Sequence, residues 1–206
     1  MVDLTETIQQ RRSIRRYTQK PISPEKIRKI LEAATWSPSA HNAQPWQFIV
    51  LFEEESKCNL ADAMGEAWLR ELEKDGIPML TRESSVRSSA DKFSTAPALI
   101  LACLTLEAMD SYPDEKRKLI EHELAVQSLG AAIQNLLLTA HAEGIGACWY
   151  CAPTFCKDAV RKTLKIPKEI EPQALITLGY PAERPQSPPR KPLEAVVSKE
   201  EWNRPF

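Results

Sequence analysis

Ser37-Pro38-Ser39-Ala40-His41-Asn42-Ala43-Gln44-Pro45-Trp46 joins an amphipathic helical segment to an apolar strand, and its reading decides the rest of the chain. Upstream, Ser23 is suited to cap free amides and Pro24 to the first helical position. Ile27, Ile30, Leu31 and Ala34 then recur at the spacing of one buried helix face, and Pro38 stops the helix. Downstream, Gln47–Phe52 is rich in strand formers. Within the stretch, Ser39, Asn42 and Gln44 are uncharged donors and acceptors, with His41 among them. Such residues populate turns for local reasons. They also suit the edge of a heteroaromatic ring that presents both donors and acceptors.

The second unusual segment, Arg11-Arg12-Ser13-Ile14-Arg15-Arg16, lies at the end of a predicted helix over Leu4–Gln10. A solvated basic patch is one reading. A nucleic-acid patch is another, but exposed aromatics and a basic balance do not accompany it. The third is a phosphate clamp: guanidinium groups grip phosphate oxygens in pairs, and Ser13 adds a hydroxyl. Arg11 and Arg15 share a face if the helix continues through them.

The chain has 206 residues, 43% hydrophobic and 27% charged, which is enough for one substantial core. Its net charge of −1 supplies no whole-chain field for nucleic acid or anionic membrane. No apolar run approaches the roughly 20 residues that span a bilayer, and Met1–Glu6 shows no apolar leader, which reads as cytoplasmic. The five cysteines, Cys58, Cys103, Cys148, Cys151 and Cys156, are too odd a number for a closed disulfide framework, and Cys103 reads as a small buried hydrophobe.

Further along, Glu54–Lys74 reads as a helix with Leu60, Ala61, Met64, Trp68 and Leu72 on one side. Residues 75–97 show no sustained period, so an irregular, lid-like segment is expected there. Ala98–Leu104 is a continuous apolar strand. Ile120–Glu143 is the most apolar helix, ending at Gly144, and is expected at the centre of the core or of a dimer interface. Gly146–Tyr150, about Thr154–Leu164 and Gln173–Tyr180 read as strand, short helix and last strand. Strands scattered among helices without βαβ alternation imply an α+β fold. The expected organisation is one domain over residues 1–180 and an arm over 181–206, where six of the chain's 16 prolines crowd.

Gly144 and Gly146 free the backbone at a helix-to-strand turn, so that amides near Tyr150, Cys151 and Ala152 can reach a ligand. Cys148 and Cys151 form a Cys-x-x-Cys pair. A redox disulfide is disfavoured because an odd separation along a strand points the two side chains to opposite faces. A zinc site from Cys148, Cys151 and Cys156 lacks an obvious fourth ligand, so no resident metal is expected. Arg190 and Lys191 are either tail charges or the return of the arm to the arginine cluster. No Gly-x-Gly-x-x-Gly or P-loop pattern occurs, and His41, His122 and His141 form no Ser-His-Asp order, so no catalytic side chain is expected. His122 and His141 read as surface or helix-end residues.

These residues resemble the nitroreductase family of FMN-dependent oxidoreductases. Arg11–Tyr17 resembles the family's opening motif and Ser37–Trp46 its second. Gly144–Trp149, Ala174–Pro181 and Arg190–Leu193 resemble the third, fourth and last, so the likeness covers roughly residues 5–197. The resemblance implies a mainly antiparallel sheet flanked by helices, in an intertwined homodimer with exchanged C-terminal arms. It implies two FMN sites at the interface. Arg11, Arg12, Ser13 and Arg15 would hold phosphate, ribityl and ring atoms. Pro38, Ser39 and Asn42 would come from the partner subunit, and Gln44 would face the ring. Backbone near Tyr150–Ala152 would approach the flavin's reactive nitrogen, and Arg190, with Lys191, would return to the phosphate. Arg87 and Lys92 are candidates for the ligands the family takes from its middle segment.

A narrower likeness joins Leu60–Trp68, Ser111–Asp114 and Glu121–Glu123 to the nitroreductase-like C-terminal domain of the ligase that adds glutamates to the 5-deazaflavin coenzyme. The implied activity is ping-pong hydride transfer from NAD(P)H or a reduced deazaflavin to a nitroaromatic, quinone or deazaflavin-related acceptor. The alternatives are a flavin or deazaflavin carrier without turnover and a thiol oxidoreductase using Cys148 and Cys151.

Overall fold

The computed structural model describes residues 3–206; Met1 and Val2, part of the segment expected to lack a leader, lie outside them. Four strands form one sheet: β1 (Trp46–Leu51), β2 (Ala98–Leu104), β3 (Gly146–Tyr150) and β4 (Glu171–Gly179), in the order β1-β2-β4-β3. Every pairing is antiparallel. Strand β2 is buried at each of its positions because both faces of the sheet are covered. Ile100, Ala102 and Leu104 face one layer of helices, and Leu99, Leu101 and Cys103 face the other. Alternation along the strand divides the apolar run between two cores. The expected α+β architecture, an antiparallel sheet flanked by helices, is what forms.

The first layer holds α2 (Pro24–Thr35) and α5 (Glu115–Ala142). Ser23 caps α2 by accepting from the Lys26 amide at 3.4 Å, and Ile27, Ile30 and Ala34 are buried as the spacing requires. Helix α5 starts five residues before the expected Ile120. Asp114 caps it, accepting from the Arg117 amide at 3.0 Å. Its first turn, Glu115-Lys116-Arg117-Lys118, is wholly charged and carries no apolar period. Leu129, Ile133 and Leu136 pack on the sheet, while Leu119, Ile120 and Val126 remain exposed.

The opposite layer holds α3 (Glu54–Lys74), α4 (Met79–Ser94) and α6 (Lys157–Leu164). Helix α4 replaces the irregular segment expected over 75–97. Only Phe93 of this Ser-rich helix is buried, so a sustained apolar stripe never appears in its sequence. Its stability comes from packing on α3, where Val86 fits against Gly65, a position at which an added Cβ would lie 3.0 Å from the valine methyl. The short helix expected over Thr154–Leu164 divides into a 3-10 turn, Ala152–Phe155, and α6, with Cys156 between them. Strands β1 and β4 begin one and two residues earlier than expected. Beyond Gly179 the chain forms an isolated bridge from Pro181 to Tyr17 and a 3-10 turn, Leu193–Ala195, and leaves Trp202 89% exposed. Among the described residues, no helix is long and apolar enough to cross a membrane.

Candidate functional site

Helix α1 (Leu4–Gln10) ends where the arginines begin. Arg11 is its C-cap, with φ −55° and ψ 131°, so Arg11 and Arg15 do not share a helix face as a continued helix would require. The chain runs extended instead. Ser13 forms a parallel bridge with Ala147, and the Ile14 amide donates to the Ala147 carbonyl at 3.0 Å. Further on, Thr18 N–H donates to Tyr180 O at 2.9 Å, and Ala182 N–H to Arg16 O at 3.0 Å. Extended backbone turns Ile14 inward and leaves Ser13 half-buried and Arg15 exposed.

Two glycines permit this crossing. A Cβ at Gly146 would lie 2.8 Å from Ile14, and one at Gly179 would lie 2.6 Å from Tyr17. Gly146 therefore serves close approach, while Gly144, at φ +73°, makes the turn. The Tyr17 hydroxyl donates to the Ile14 carbonyl and lies 2.7 Å from the Thr177 hydroxyl, and burial holds its pKa far above the ordinary phenol value.

Arg11 and Arg12 line a cavity of about 840 Å³ with His141 and the Gly144–Ala147 backbone. Burial lowers the Arg11 pKa, and the charges of Arg12 and then Arg190 lower it further. Arg190 itself is exposed and donates to the Pro188 carbonyl at 3.3 Å. Lys191 is exposed beside it. His141 stands at the end of α5 as expected, yet it is half-buried against the cavity; burial first, then Arg11 and Arg12, hold its pKa below the usual imidazole value. Glu183 accepts from the Arg15 and Arg16 amides at 2.7 and 3.2 Å and fixes the segment from below.

Arg15 and Arg16 open on a second cavity of about 680 Å³, whose far wall is α4 with Ser84, Arg87, Ser88 and Lys92. The middle-segment candidates thus face the arginine segment across one space. The other side of α4 meets a third, apolar cavity of about 450 Å³, lined by Met64, Trp68, Phe93, Ala152 and Phe155. At the end of β3, Tyr150 packs edge-on against Phe93 with ring centroids 5.1 Å apart, and its buried hydroxyl has no hydrogen-bond partner. Cys151 is exposed and Ala152 half-buried at the mouth of that region. All five cysteines are free thiols. Cys148 is buried in the sheet, and burial pushes Cys156 up to about 11 and Cys103 up to about 12.

The Ser37–Trp46 loop is built differently. His41, Asn42 and Gln44 all hold positive φ, at 56°, 53° and 48°, a region that costs non-glycine residues about 1–2 kcal/mol each. The Ser39 hydroxyl accepts from the Gln44 amide at 3.0 Å, and the Ala40 amide donates to the Ser128 hydroxyl of α5 at 3.1 Å. Pro38, Asn42 and Gln44 are exposed. The His41 imidazole turns away from them toward Glu121.

One chain therefore gathers Arg11, Arg12, Ser13, Arg15, Arg190 and the Tyr150–Ala152 backbone on the β3 side of the sheet. It keeps Pro38, Ser39, Asn42 and Gln44 apart, at the entrance to the opposite edge strand β1. Ser128, beside the loop, and His141, beside the arginine cavity, are separated by about 20 Å of helix rise. Asp110 carried no signal in the sequence, and Glu121 stood out only within the Glu121–Glu123 likeness; their meeting with His41 is made by the tertiary fold.

This framework matches the Nitroreductase family over residues 8–180. The chain belongs to the nitroreductase family. A provisionally named NADH dehydrogenase/NAD(P)H nitroreductase of Archaeoglobus fulgidus is 33% identical over 184 residues, covering 88% of this chain and 87% of that one. A provisionally named nitroreductase of Desulfovibrio desulfuricans, solved in complex with FMN, superposes with a TM-score of 0.74 at 29% identity, covering 98% of this chain and 99% of that one. A BluB-like flavoprotein of Clostridium difficile superposes with a TM-score of 0.82 at 27% identity, covering 98% and 100%. The expected nitroreductase-like fold and its oxidoreductase class follow from these likenesses.

Proposed function

We propose that the chain is an FMN-dependent oxidoreductase whose flavin lies between two copies, and which passes hydride from a reduced nicotinamide or deazaflavin to a small aromatic or quinone-like acceptor. The carrying observation is the distance between the arginine segment and the Ser37–Trp46 loop. A cationic cavity suited to a phosphate and an amide-rich loop suited to a ring edge stand at opposite edges of the sheet, each incomplete alone. A second copy related by a two-fold axis, so that each copy's loop meets the other's arginine segment, would unite them.

The residues fit FMN by their chemistry. Arg11 and Arg12 beside the 840 Å³ cavity, with Arg190 returning to them, match a phosphate dianion. Ser13 and Arg15 follow toward the ribityl and ring, with Arg87 and Lys92 facing Arg15 across their shared cavity. Ser39, Asn42 and Gln44 match ring donors and acceptors, and the backbone at Tyr150–Ala152 would lie beside the reactive edge. Lys191 supports the phosphate end by charge alone. FMN supplies the hydride chemistry; these side chains bind, orient and exclude water.

Exposed Leu119, Ile120 and Val126 on α5, and Trp202 and Phe206 on the arm, supply apolar surface for the partner copy. The apolar cavity beside Ala152 suits the planar part of donor or acceptor in turn, which makes ping-pong kinetics the expected order. Trp68 of the deazaflavin-like segment lines this cavity, so a deazaflavin belongs among the ligands to be tried.

The test is anaerobic bleaching of the yellow protein by NADH, NADPH and reduced deazaflavin, followed by reoxidation with quinone, nitroaromatic and deazaflavin-related acceptors. Bleaching by one donor and recovery with one acceptor is the expected result. Bound flavin that none of the donors reduces would make the protein a carrier instead. Activity that vanishes in Cys148→Ser/Cys151→Ser would favour the thiol reading.

A further inference from the structure

Three side chains far apart in sequence meet beneath the Ser37–Trp46 loop. Nε2 of His41 lies 3.4 Å from Oε2 of Glu121 and 4.0 Å from Oδ2 of Asp110. One ligand atom from each falls within 4.8 Å of the others. Three separate elements deliver them. His41 sits in the 3-10 turn Ala40–Asn42, and Glu121 lies in the second turn of α5. Asp110 follows buried Met109, in a segment tied back to the loop by the Thr105 amide, which donates to the Pro45 carbonyl at 3.0 Å.

Glu121 makes the arrangement unusual. Its side chain is only 8% exposed, and Oε2 is buried without a hydrogen-bond donor. A carboxylate removed from water without compensation costs several kcal/mol. We propose that His41, Asp110 and Glu121 bind a divalent first-row metal cation, which pins the Ser37–Trp46 loop to α5. Bonds of about 2.0–2.2 Å to a tetrahedral or octahedral ion place neighbouring donors roughly 3–3.6 Å apart. The His41–Glu121 spacing falls in that range, and the exposed Asp110 closes the remaining gap by a small side-chain movement.

One imidazole and two carboxylates form a nitrogen–oxygen set without sulfur, suited to Zn²⁺, Mn²⁺ or Fe²⁺ and not to a soft cuprous ion. Two carboxylates beside a neutral imidazole also balance a double positive charge. His41 and Asp110 are 41% and 57% exposed, so the site has a solvent mouth through which an ion enters and waters complete its shell. The rival arrangement is a protonated His41 bridging the two carboxylates with no metal.

Binding itself decides between them, independently of the flavin reading. The protein as purified is stripped with chelator, dialysed and titrated with Mn²⁺, with free ion followed by electron paramagnetic resonance and Zn²⁺ added as competitor. Mn²⁺ disfavours thiols, so exposed Cys151 does not interfere. The expected result is one Mn²⁺ per chain, displaced by Zn²⁺ and weakened at least about tenfold in Glu121→Gln and His41→Gln. Asp110→Asn, at an exposed position that leaves the fold intact, weakens binding as well. Absence of saturable binding of either ion, or binding equal in wild type and all three variants, overturns the site and leaves an ion pair.

Discussion

The Arg11–Tyr17 segment and the Ser37–Trp46 loop are both polar and both irregular, yet the fold treats them differently. The first is joined to the sheet by backbone hydrogen bonds through Ala147 and Tyr180, and two glycines allow it to come into contact. The second is tied to α5 and to the end of β2 through the backbone of Ala40 and Pro45, but holds three residues in left-handed backbone and turns its amide side chains to solvent. Rigid anchoring suits the charged end of a ligand, where several guanidinium groups must stay converged. An outward-facing, strained loop suits a surface completed by another molecule. The proposed dimer makes that molecule a second copy of the same chain.

Removing the charge from the anchored segment should have the largest effect. Arg11→Ala/Arg15→Ala deletes charge-assisted hydrogen bonds of about 1.5–3 kcal/mol each, and should weaken FMN at least about a hundredfold. Equilibrium dialysis against FMN measures this, and unchanged affinity would break the comparison at its first term. Next comes the anchoring itself. Gly179→Ala places a methyl 2.6 Å from the Tyr17 ring, and should cost about 1–3 kcal/mol in urea unfolding, with flavin retention falling in step. Normal stability would mean that the Arg11–Tyr17 segment is not held where the fold puts it.

The loop should respond in the opposite direction. Gln44→Gly relieves positive φ and should raise stability by about 0.5–1 kcal/mol while weakening FMN, since a ring contact is lost with the side chain. Stability and affinity moving together would erase the contrast between the two regions. The smallest effect is expected at the cysteines. Alkylation at pH 8 should modify exposed Cys151 and spare Cys103 and Cys156, whose thiols stay protonated well above that pH. Hydride transfer in Cys148→Ser/Cys151→Ser should match wild type, as peptide mapping and steady-state rates will report.

Most of the scaffold could be read from local pattern because local pattern determines it. The continuous apolar run Ala98–Leu104 is the strand buried on both faces, and Leu4–Gln10 and Glu54–Lys74 form helices with the expected bounds. Helix α4 escaped because a helix held by tertiary packing needs only Phe93 and Val86 on its inner side, too few to show a period. The start of α5 escaped because its first turn is all charge. At the candidate site, the arginine segment and the amide-rich loop stood out in the sequence as residue types, but their roughly 20 Å separation along α5 did not. The meeting of Arg15 with Arg87 and Lys92 across a cavity, and of His41 with Asp110 and Glu121, depends on how helices dock on the sheet. No spacing along the chain encodes either.

Subunit complementation tests the two-copy site most directly. A clamp-dead chain, Arg11→Ala/Arg15→Ala, and a loop-dead chain, Ser39→Ala/Asn42→Ala, should each purify nearly colourless. Co-expressed with different tags and isolated as the mixed dimer, they should regain one intact site, with about half the wild-type FMN. Mixed dimers as empty as either parent, or a monomer that carries FMN in full, would contradict a flavin held between two copies.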